Sequence, residues 1–117
     1  MLHVPGHVKI FLYLAKVDMR KSFDGLSAII EQVLQKDSLS GHLFVFRNRR
    51  ADRVKILYWS GDGYTIWYRR LEAGTFHFPV AGEDQQSVMV SATDLAMLLD
   101  GVDLASVRRG KRFRRSA

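Results

Sequence analysis

Residues 43–71 constrain the fold most, because strand-forming runs alternate there with turn signals. Leu43–Arg47 and Arg53–Trp59 are rich in β-branched and aromatic side chains, and a polar loop joins them. Residues 60–63 (Ser-Gly-Asp-Gly) follow, and glycine supplies the positive φ that tight hairpin turns require. Tyr64–Leu71 then repeats the strand pattern. Three such runs with short connections predict meandering antiparallel strands.

The segment before these strands predicts a strand and then a helix. Val8–Leu14 is apolar and rich in strand formers, whereas the apolar residues of Ser22–Gln35 recur at helical spacing. Either Asp18 or Ser22 is suited to cap the helix by accepting a backbone N–H. The side chains expected to face the core are Phe23, Leu26, Ile30 and Val33.

The segment after these strands predicts one more strand and a second helix. Val88 and Val90 alternate with polar or flexible neighbours. Ser91 and Asp94 match a capping box, and Gly101 is placed to end the helix in the left-handed conformation. The leucines that form the apolar stripe of this helix are Leu95, Leu98 and Leu99. The predicted fold class is therefore α+β, with a mostly antiparallel sheet of four or more strands and two helices.

Length and composition indicate one domain. The chain has 117 residues, of which 47% are hydrophobic and 26% charged, as is typical of a globular domain with one core. We predict that residues 1–107 form this domain and that residues 108–117 form a flexible, disordered basic tail.

Several protein classes are excluded or disfavoured by the composition. The absence of cysteine excludes a disulfide framework, a thiolate zinc site and a cysteine nucleophile. The longest early apolar run, Ile10–Ala15, is far shorter than the roughly 20 residues of a membrane-spanning helix. Lys9 is the only Lys or Arg before that run, unlike the basic leader of a signal peptide. We predict a cytoplasmic protein without membrane contact.

The distribution of charge indicates an anion-seeking surface. The formal net charge is +6, and six of the 18 Lys and Arg residues lie within residues 108–117. The rest of the chain then balances 12 basic against 12 acidic residues. Within it, residues 47–55 are strongly basic, whereas residues 83–103 are acidic and lack Lys and Arg. Two basic clusters separated by an acidic segment favour a molecule with one basic side.

No catalytic or metal-binding pattern stands out. His3 and His7 have a helical chelating spacing, but Pro5 and Gly6 lie between them and disfavour a helix there. Two of the aspartates considered for a metal-dependent nuclease occupy turn-like contexts, and no element groups three of them. Those aspartates are Asp18, Asp24, Asp52 and Asp62. We predict no catalytic residue, no metal and no cofactor, and hence no enzymatic activity.

The aromatic residues allow two interpretations. An exposed aromatic sheet face can stack nucleobases, as RNA-recognition domains do. The alternative, which we favour, is that these rings form the core and its rim. The residues concerned are Phe44, Phe46, Tyr58, Trp59, Tyr64, Trp67 and Tyr68.

The densest cationic cluster lies on the connection between the first two of these strands. Residues 47–53 hold four arginines in seven positions. Long cationic side chains at such a place can clamp phosphates or enter a groove, although many charged loops are merely solvated. The density favours contact with nucleic acid. The predicted contact residues are Arg47, Arg49, Arg50, Arg53 and Lys55 on the hairpin, Arg20 and Lys21 before the first helix, and Arg108, Arg109, Lys111, Arg112, Arg114 and Arg115 in the tail.

Several sequence blocks resemble a family of bacterial insertion-sequence accessory proteins. The blocks are Asp18–Leu26, Gly41–Phe46, Arg49–Trp59, Gly61–Gly63, Arg69–Glu72, Gly74, Phe76, Pro79 and Leu95–Asp103. The family comprises the small TnpB-type products of the second reading frame of the element group numbered sixty-six. The similarly named RNA-guided nucleases are unrelated. Two departures are Ser60, where the family usually has Asp, and the pair Lys16 and Val17, where it usually contains Pro.

The resemblance implies a role in transposition beside a separate transposase and another accessory protein. It implies no catalytic mechanism. Three hypotheses follow. The chain is a DNA-binding factor that acts on element ends or target DNA, a protein–protein adaptor for the transposase, or a cryptic metal-dependent nuclease. The adaptor would use the acidic helix near Asp94–Asp103 or the aromatic sheet.

Overall fold

Five strands and two helices follow one another in the computed structural model, which describes residues 4–104. The short β-rich runs form strands, and the longer amphipathic runs form the helices. A π-helical segment, Ile29–Val33, continues directly from the first helix. The elements are β1 (Ile10–Lys16), α1 (Phe23–Ala28), β2 (Leu43–Arg47), β3 (Arg53–Trp59), β4 (Tyr64–Arg70), β5 (Ser87–Val90) and α2 (Ala92–Leu99).

The strands form one mixed sheet in the order β4-β3-β2-β1-β5. β2, β3 and β4 pair antiparallel as consecutive hairpins, and β5 pairs antiparallel with β1. β1 and β2 are parallel, because the chain crosses over through α1 between them. The predicted α+β class and the mostly antiparallel sheet are confirmed.

The three inner strands, β1, β2 and β3, have buried residues on both faces of the sheet, because each helix covers one face. Side chains at alternate positions of β1 point to opposite faces. Ile10, Leu12 and Leu14 join the core beneath α2, whereas Phe11 joins the core beneath α1. The side chains of β2 alternate between the two cores, so four of its five residues are buried. Phe44 and Phe46 are fully covered, which confirms for these two rings that they belong to the core.

The first helix departs from the prediction in its register. Leu26 and Ile30 are fully buried as expected, but Phe23 is 44% exposed and Val33 is 39% exposed, so the prediction for those two residues was wrong. The Leu34 N–H donates to the Ile29 carbonyl, a π-type bond with more residues per turn than the α-helix. Leu34, rather than Val33, therefore packs against the core after Ile30. Phe23 is the first residue of α1. The spacing of apolar residues indicates which face of a helix is buried, but it does not indicate whether the sheet extends far enough to cover the first residue.

The predicted ends of α2 are confirmed. The Ser91 hydroxyl accepts from the Asp94 N–H, and the Asp94 carboxylate accepts from the Ser91 N–H, which completes the capping box. Gly101 has φ +83°. The Val102 N–H donates to the Met97 carbonyl and the Gly101 N–H to the Leu98 carbonyl, the two bonds of a Schellman motif.

The N-terminus of α1 lacks the predicted side-chain cap. Ser22 occupies the N-cap position, but its hydroxyl makes no cap hydrogen bond. Asp18 accepts instead from the Arg20 N–H, within the preceding turn. Within residues 4–104 no helix has the length and apolar character needed to cross a bilayer. The predicted tail at 108–117 lies outside the described residues.

Candidate nucleic-acid interface

The sheet topology gathers basic residues at one end of the molecule. Lys16 pairs in register with Arg47, and Arg53 pairs with Arg70, so β1, β2 and β4 finish where β3 begins. We call this region the basic end. Its cationic residues are Lys16, Arg20, Lys21, Arg47, Arg49, Arg50, Arg53, Lys55, Arg69 and Arg70.

The hairpin loop at the basic end is fixed by its own polar groups. The Asn48 side chain accepts from the Arg53 N–H at 3.0 Å and donates to the Asp52 carboxylate at 2.7 Å. Ala51 adopts φ +57°, which closes the turn. The neighbouring segment adds further bonds, since the Leu71 N–H donates to the Asp52 carbonyl and the Phe76 N–H to the Ala51 carbonyl. Arg49 and Arg50 therefore project from an anchored loop.

A groove of about 600 Å³ separates this loop from the segment that follows β1. Arg49, Arg50 and Arg53 line one wall, and Lys16 and Asp18 lie on the opposite wall. Arg49 and Arg50 are exposed to solvent. Guanidinium groups bind phosphate oxygens with paired N–H donors, so an open groove with three of them suits an anionic backbone.

Lys55 is bonded to Met19, a residue that lines this groove, and is only 7% exposed. Its ammonium donates at 2.8 Å to the carbonyls of both Met19 and Lys21. The side chain thereby ties the segment before α1 to the middle of the sheet. This internal use of the charge differs from the predicted contact with nucleic acid.

Arg47 is also used internally. Its guanidinium donates to the Leu14 carbonyl at 2.9 Å and lies 4.7 Å from the centre of the Phe78 ring. Burial lowers the pKa of this guanidinium from its ordinary value. Arg47 points to the α2 face of the sheet, as Val45 does. It is thus separated from Arg53, whose side chain bonds to Tyr68 on the α1 face.

The carboxylates near the groove are held in their ionised form. The Asn48 amide is the main cause of the lowered pKa of Asp52. The Arg20 guanidinium, 2.6 Å away, lowers the pKa of Asp18 to about 2. Both groups are charged at neutral pH, so they offset part of the positive charge and favour ligands that reach the outer guanidinium groups.

Three basic residues were missed as site residues from the sequence: Lys16, Arg69 and Arg70. They stand at strand ends, and only the pairing of β1 with β2 and of β3 with β4 brings them to the hairpin loop. Arg70 bonds to Glu72 at 2.8 Å, and Arg69 lies 3.9 Å from Asp100. The run of two arginines at the end of the β4 pattern was the available signal.

The described residues contain no group of three His, Asp or Glu side chains placed to hold a metal ion. Asp18, Asp24, Asp52 and Asp62 are not gathered into such a group, and the prediction that the chain has no catalytic activity stays a prediction. The acidic surface considered for an adaptor includes Asp94, whose carboxylate serves the α2 cap, and Asp100.

Comparison with known proteins gives a family and two relatives. The family described as IS66 Orf2 like protein matches residues 8–109. The uncharacterized protein y4jC of Sinorhizobium fredii is 32% identical over 102 residues, which cover 87% of this chain and 86% of that protein. The uncharacterized protein y4hO of the same organism is 32% identical over 103 residues, or 88% of each chain. No solved structure matches.

Proposed function

Because this chain belongs to the IS66 Orf2 like protein family, we propose that it is an accessory factor in the transposition of an insertion sequence, and that it binds DNA without cutting it. Its partners in this proposal are DNA, the transposase and the other accessory protein of the same element, in the cytoplasm. The family connects the chain with such elements. The DNA contact is our inference from the basic end.

The observation that carries the DNA contact is the position of Arg49 and Arg50. Both are exposed on a loop whose backbone is held by Asn48 and by the bonds from Leu71 and Phe76. A solvated loop that only aids solubility needs no such anchoring. A loop whose backbone is already held loses less entropy on binding than a mobile one, which favours a binding role.

We assign the contact residues in two groups. Arg49, Arg50 and Arg53 line the groove and contact phosphates or base edges directly, and Arg20, Lys21 and Lys16 extend the positive field beside it. Lys55 and Arg47 support the site from within. The tail residues 108–117 add a nonspecific electrostatic anchor in this proposal.

The test is a mobility-shift titration of element-end and scrambled duplex DNA across a salt series. The Arg49→Ala/Arg50→Ala variant should bind both duplexes more weakly. Its plot of log affinity against log salt should be shallower by roughly 0.9 for each phosphate that the variant no longer neutralises. If the two arginines also reach base edges, the preference for element-end DNA should shrink, since an arginine–guanine pair discriminates by about 1–3 kcal/mol.

A matched control removes two charges elsewhere. Lys9→Ala/Lys36→Ala has the same change in net charge, and both lysines lie toward the opposite end of β1, where Lys36 stands over the Phe11 ring at 4.3 Å. This control should retain most of the affinity. If the Arg49→Ala/Arg50→Ala variant binds DNA as tightly as the parent, the groove does not bind DNA. The adaptor hypothesis would then be favoured over DNA binding. Copurification with the transposase from nuclease-treated extract would test it.

A further inference from the structure

Tyr68 is an exposed aromatic side chain at the basic end. It is 47% exposed, whereas the other rings on the strands are buried or partly buried. It lies on β4, an edge strand, directly opposite Lys55 in the register. Its ring stands on the α1 face, two residues before Arg70 ends the strand. The ring therefore lies at the rim of the sheet, beside the basic end.

One side of the ring is occupied by a buried cation. The Lys55 ammonium lies 4.9 Å from the centre of the Tyr68 ring, while it donates to the Met19 and Lys21 carbonyls. Because Lys55 is buried and Tyr68 is about half exposed, the covered side of the ring is the one toward Lys55. The solvent-exposed part of Tyr68 then lies on the other side, from which a flat partner can approach.

The edge of the ring is held by an arginine of the groove. The Arg53 guanidinium donates to the Tyr68 hydroxyl at 3.0 Å. Arg53 also lines the groove with Arg49 and Arg50. Arg53 thus links the groove to the ring, and a phosphate bound at Arg53 would lie next to Tyr68. The tyrosine is fixed in advance from below and from its edge, which lowers the entropy lost on stacking.

We propose that Tyr68 stacks an unpaired DNA base while the arginines of the groove bind the adjoining phosphates. This inference rests on the proposed DNA binding and deepens it, because it names single-stranded or locally unpaired DNA as the preferred ligand. Base pairs in a duplex present their edges in the grooves and their flat faces to each other. A base must leave the stack before its face can meet the tyrosine. Exposed aromatics beside a basic groove are the arrangement with which proteins bind single strands.

The test compares three fluorescently labelled DNA probes by anisotropy. They are a 15-nucleotide single strand, the duplex of the same sequence, and the same single strand with abasic residues throughout its central third. The parent protein should bind the normal single strand more tightly than the abasic strand. Tyr68→Leu should weaken binding of the normal single strand roughly 5- to 150-fold, the range expected when one base–aromatic stack is lost. It should change binding of the duplex by less than about twofold.

Two further variants separate stacking from a general loss of structure. Tyr68→Phe keeps the ring but loses the hydroxyl that accepts from Arg53, so it should retain most of the preference for the normal strand. Phe23→Leu removes an aromatic residue of similar exposure on α1 and should have no effect on that preference. The abasic strand tests the same point on the unaltered protein, even if Tyr68→Leu fails to fold.

The outcomes distinguish this inference from the function beneath it. If the parent binds normal and abasic strands equally, or if Tyr68→Leu weakens the duplex as much as the single strand, the stacking role is wrong. The proposed DNA binding would survive that result, provided that Arg49→Ala/Arg50→Ala still weakens duplex binding. If the parent binds none of the three probes, the proposed function itself fails and the stacking role fails with it.

Discussion

The cations at the basic end form an inner and an outer layer. In the inner layer, Lys55 and Arg47 donate to main-chain carbonyls of Met19, Lys21 and Leu14 and contact aromatic rings. In the outer layer, Arg49 and Arg50 are exposed on the hairpin loop. All four residues lie within nine positions of the sequence. In the inner layer, the charged groups bond to carbonyls of the protein. In the outer layer, they are exposed to solvent.

The difference between the layers comes from the position of each residue, either on one face of a pleated strand or in the turn, and not from residue type. Within β3, Lys55 points to the α1 face, where the segment before α1 supplies carbonyl acceptors. Arg47 at the end of β2 points to the other face and meets Phe78. Arg49 and Arg50 fall in the turn, beyond the last pair of strand residues. A dense cationic run therefore mixes structural cations with cations that are available to bind a ligand.

Replacing Lys55 should have the largest effect on stability. Lys55→Met keeps most of the length of the side chain but leaves the Met19 and Lys21 carbonyls without their donor. The variant also avoids the cost of burying a charge, so we expect a net loss of about 1–3 kcal/mol in the free energy of unfolding. Urea unfolding measures it. The outer-layer counterpart Arg49→Met should change that free energy by less than about 0.5 kcal/mol. Equal stability of the two variants would remove the distinction between the layers.

Arg47→Met should have an intermediate effect. The variant loses the bond to the Leu14 carbonyl and the cation–π interaction with the Phe78 ring but keeps most of the apolar stem. We expect a loss of about 1–2 kcal/mol in the free energy of unfolding. Arg47→Lys is the informative companion, because it keeps the charge and loses the planar guanidinium. If Arg47→Met instead weakens DNA binding without any change in stability, Arg47 belongs to the outer layer.

The sequence predicted the elements better than their relative placement. The runs at 43–47, 53–59 and 64–70 form strands, and the α2 cap is as predicted, because hydrophobic alternation and capping chemistry act locally. The exposure of Val33 was not predictable from helical spacing, since the π-type bond to Ile29 changes the register. A π-type turn holds more residues than an α-helical turn, and this difference decides which side chain faces the core.

The sequence predicted a cluster of basic residues at the candidate site. It did not predict which of these residues are used internally and which are exposed to solvent. The arginine run marked the hairpin loop, and that location needed no tertiary information. The internal use of Lys55 depends on carbonyls 34 and 36 positions away in the chain. The addition of Lys16, Arg69 and Arg70 depends on strand order. Long-range pairing of this kind leaves no periodic signal in one sequence.

The smallest expected effect concerns Asp18, which lines the groove and forms an ion pair with the exposed Arg20. The Arg20 guanidinium, mainly by its hydrogen bonds, lowers the pKa of Asp18 from 3.8 to about 2 in the folded chain. Because the folded pKa lies below the unfolded value, ionised Asp18 stabilises the fold above pH 3.8, and this contribution is lost as the pH falls toward 2. Both side chains are largely exposed, so solvent screens the pair and the effect is small.

Urea unfolding of the parent and of Asp18→Ala should differ most near neutral pH and converge on acidification. Arg20→Ala should remove most of the pH dependence from this pair, since it removes the cause of the shift. A difference between parent and Asp18→Ala that stays constant down to pH 2 would contradict a stabilising role for the ionised carboxylate.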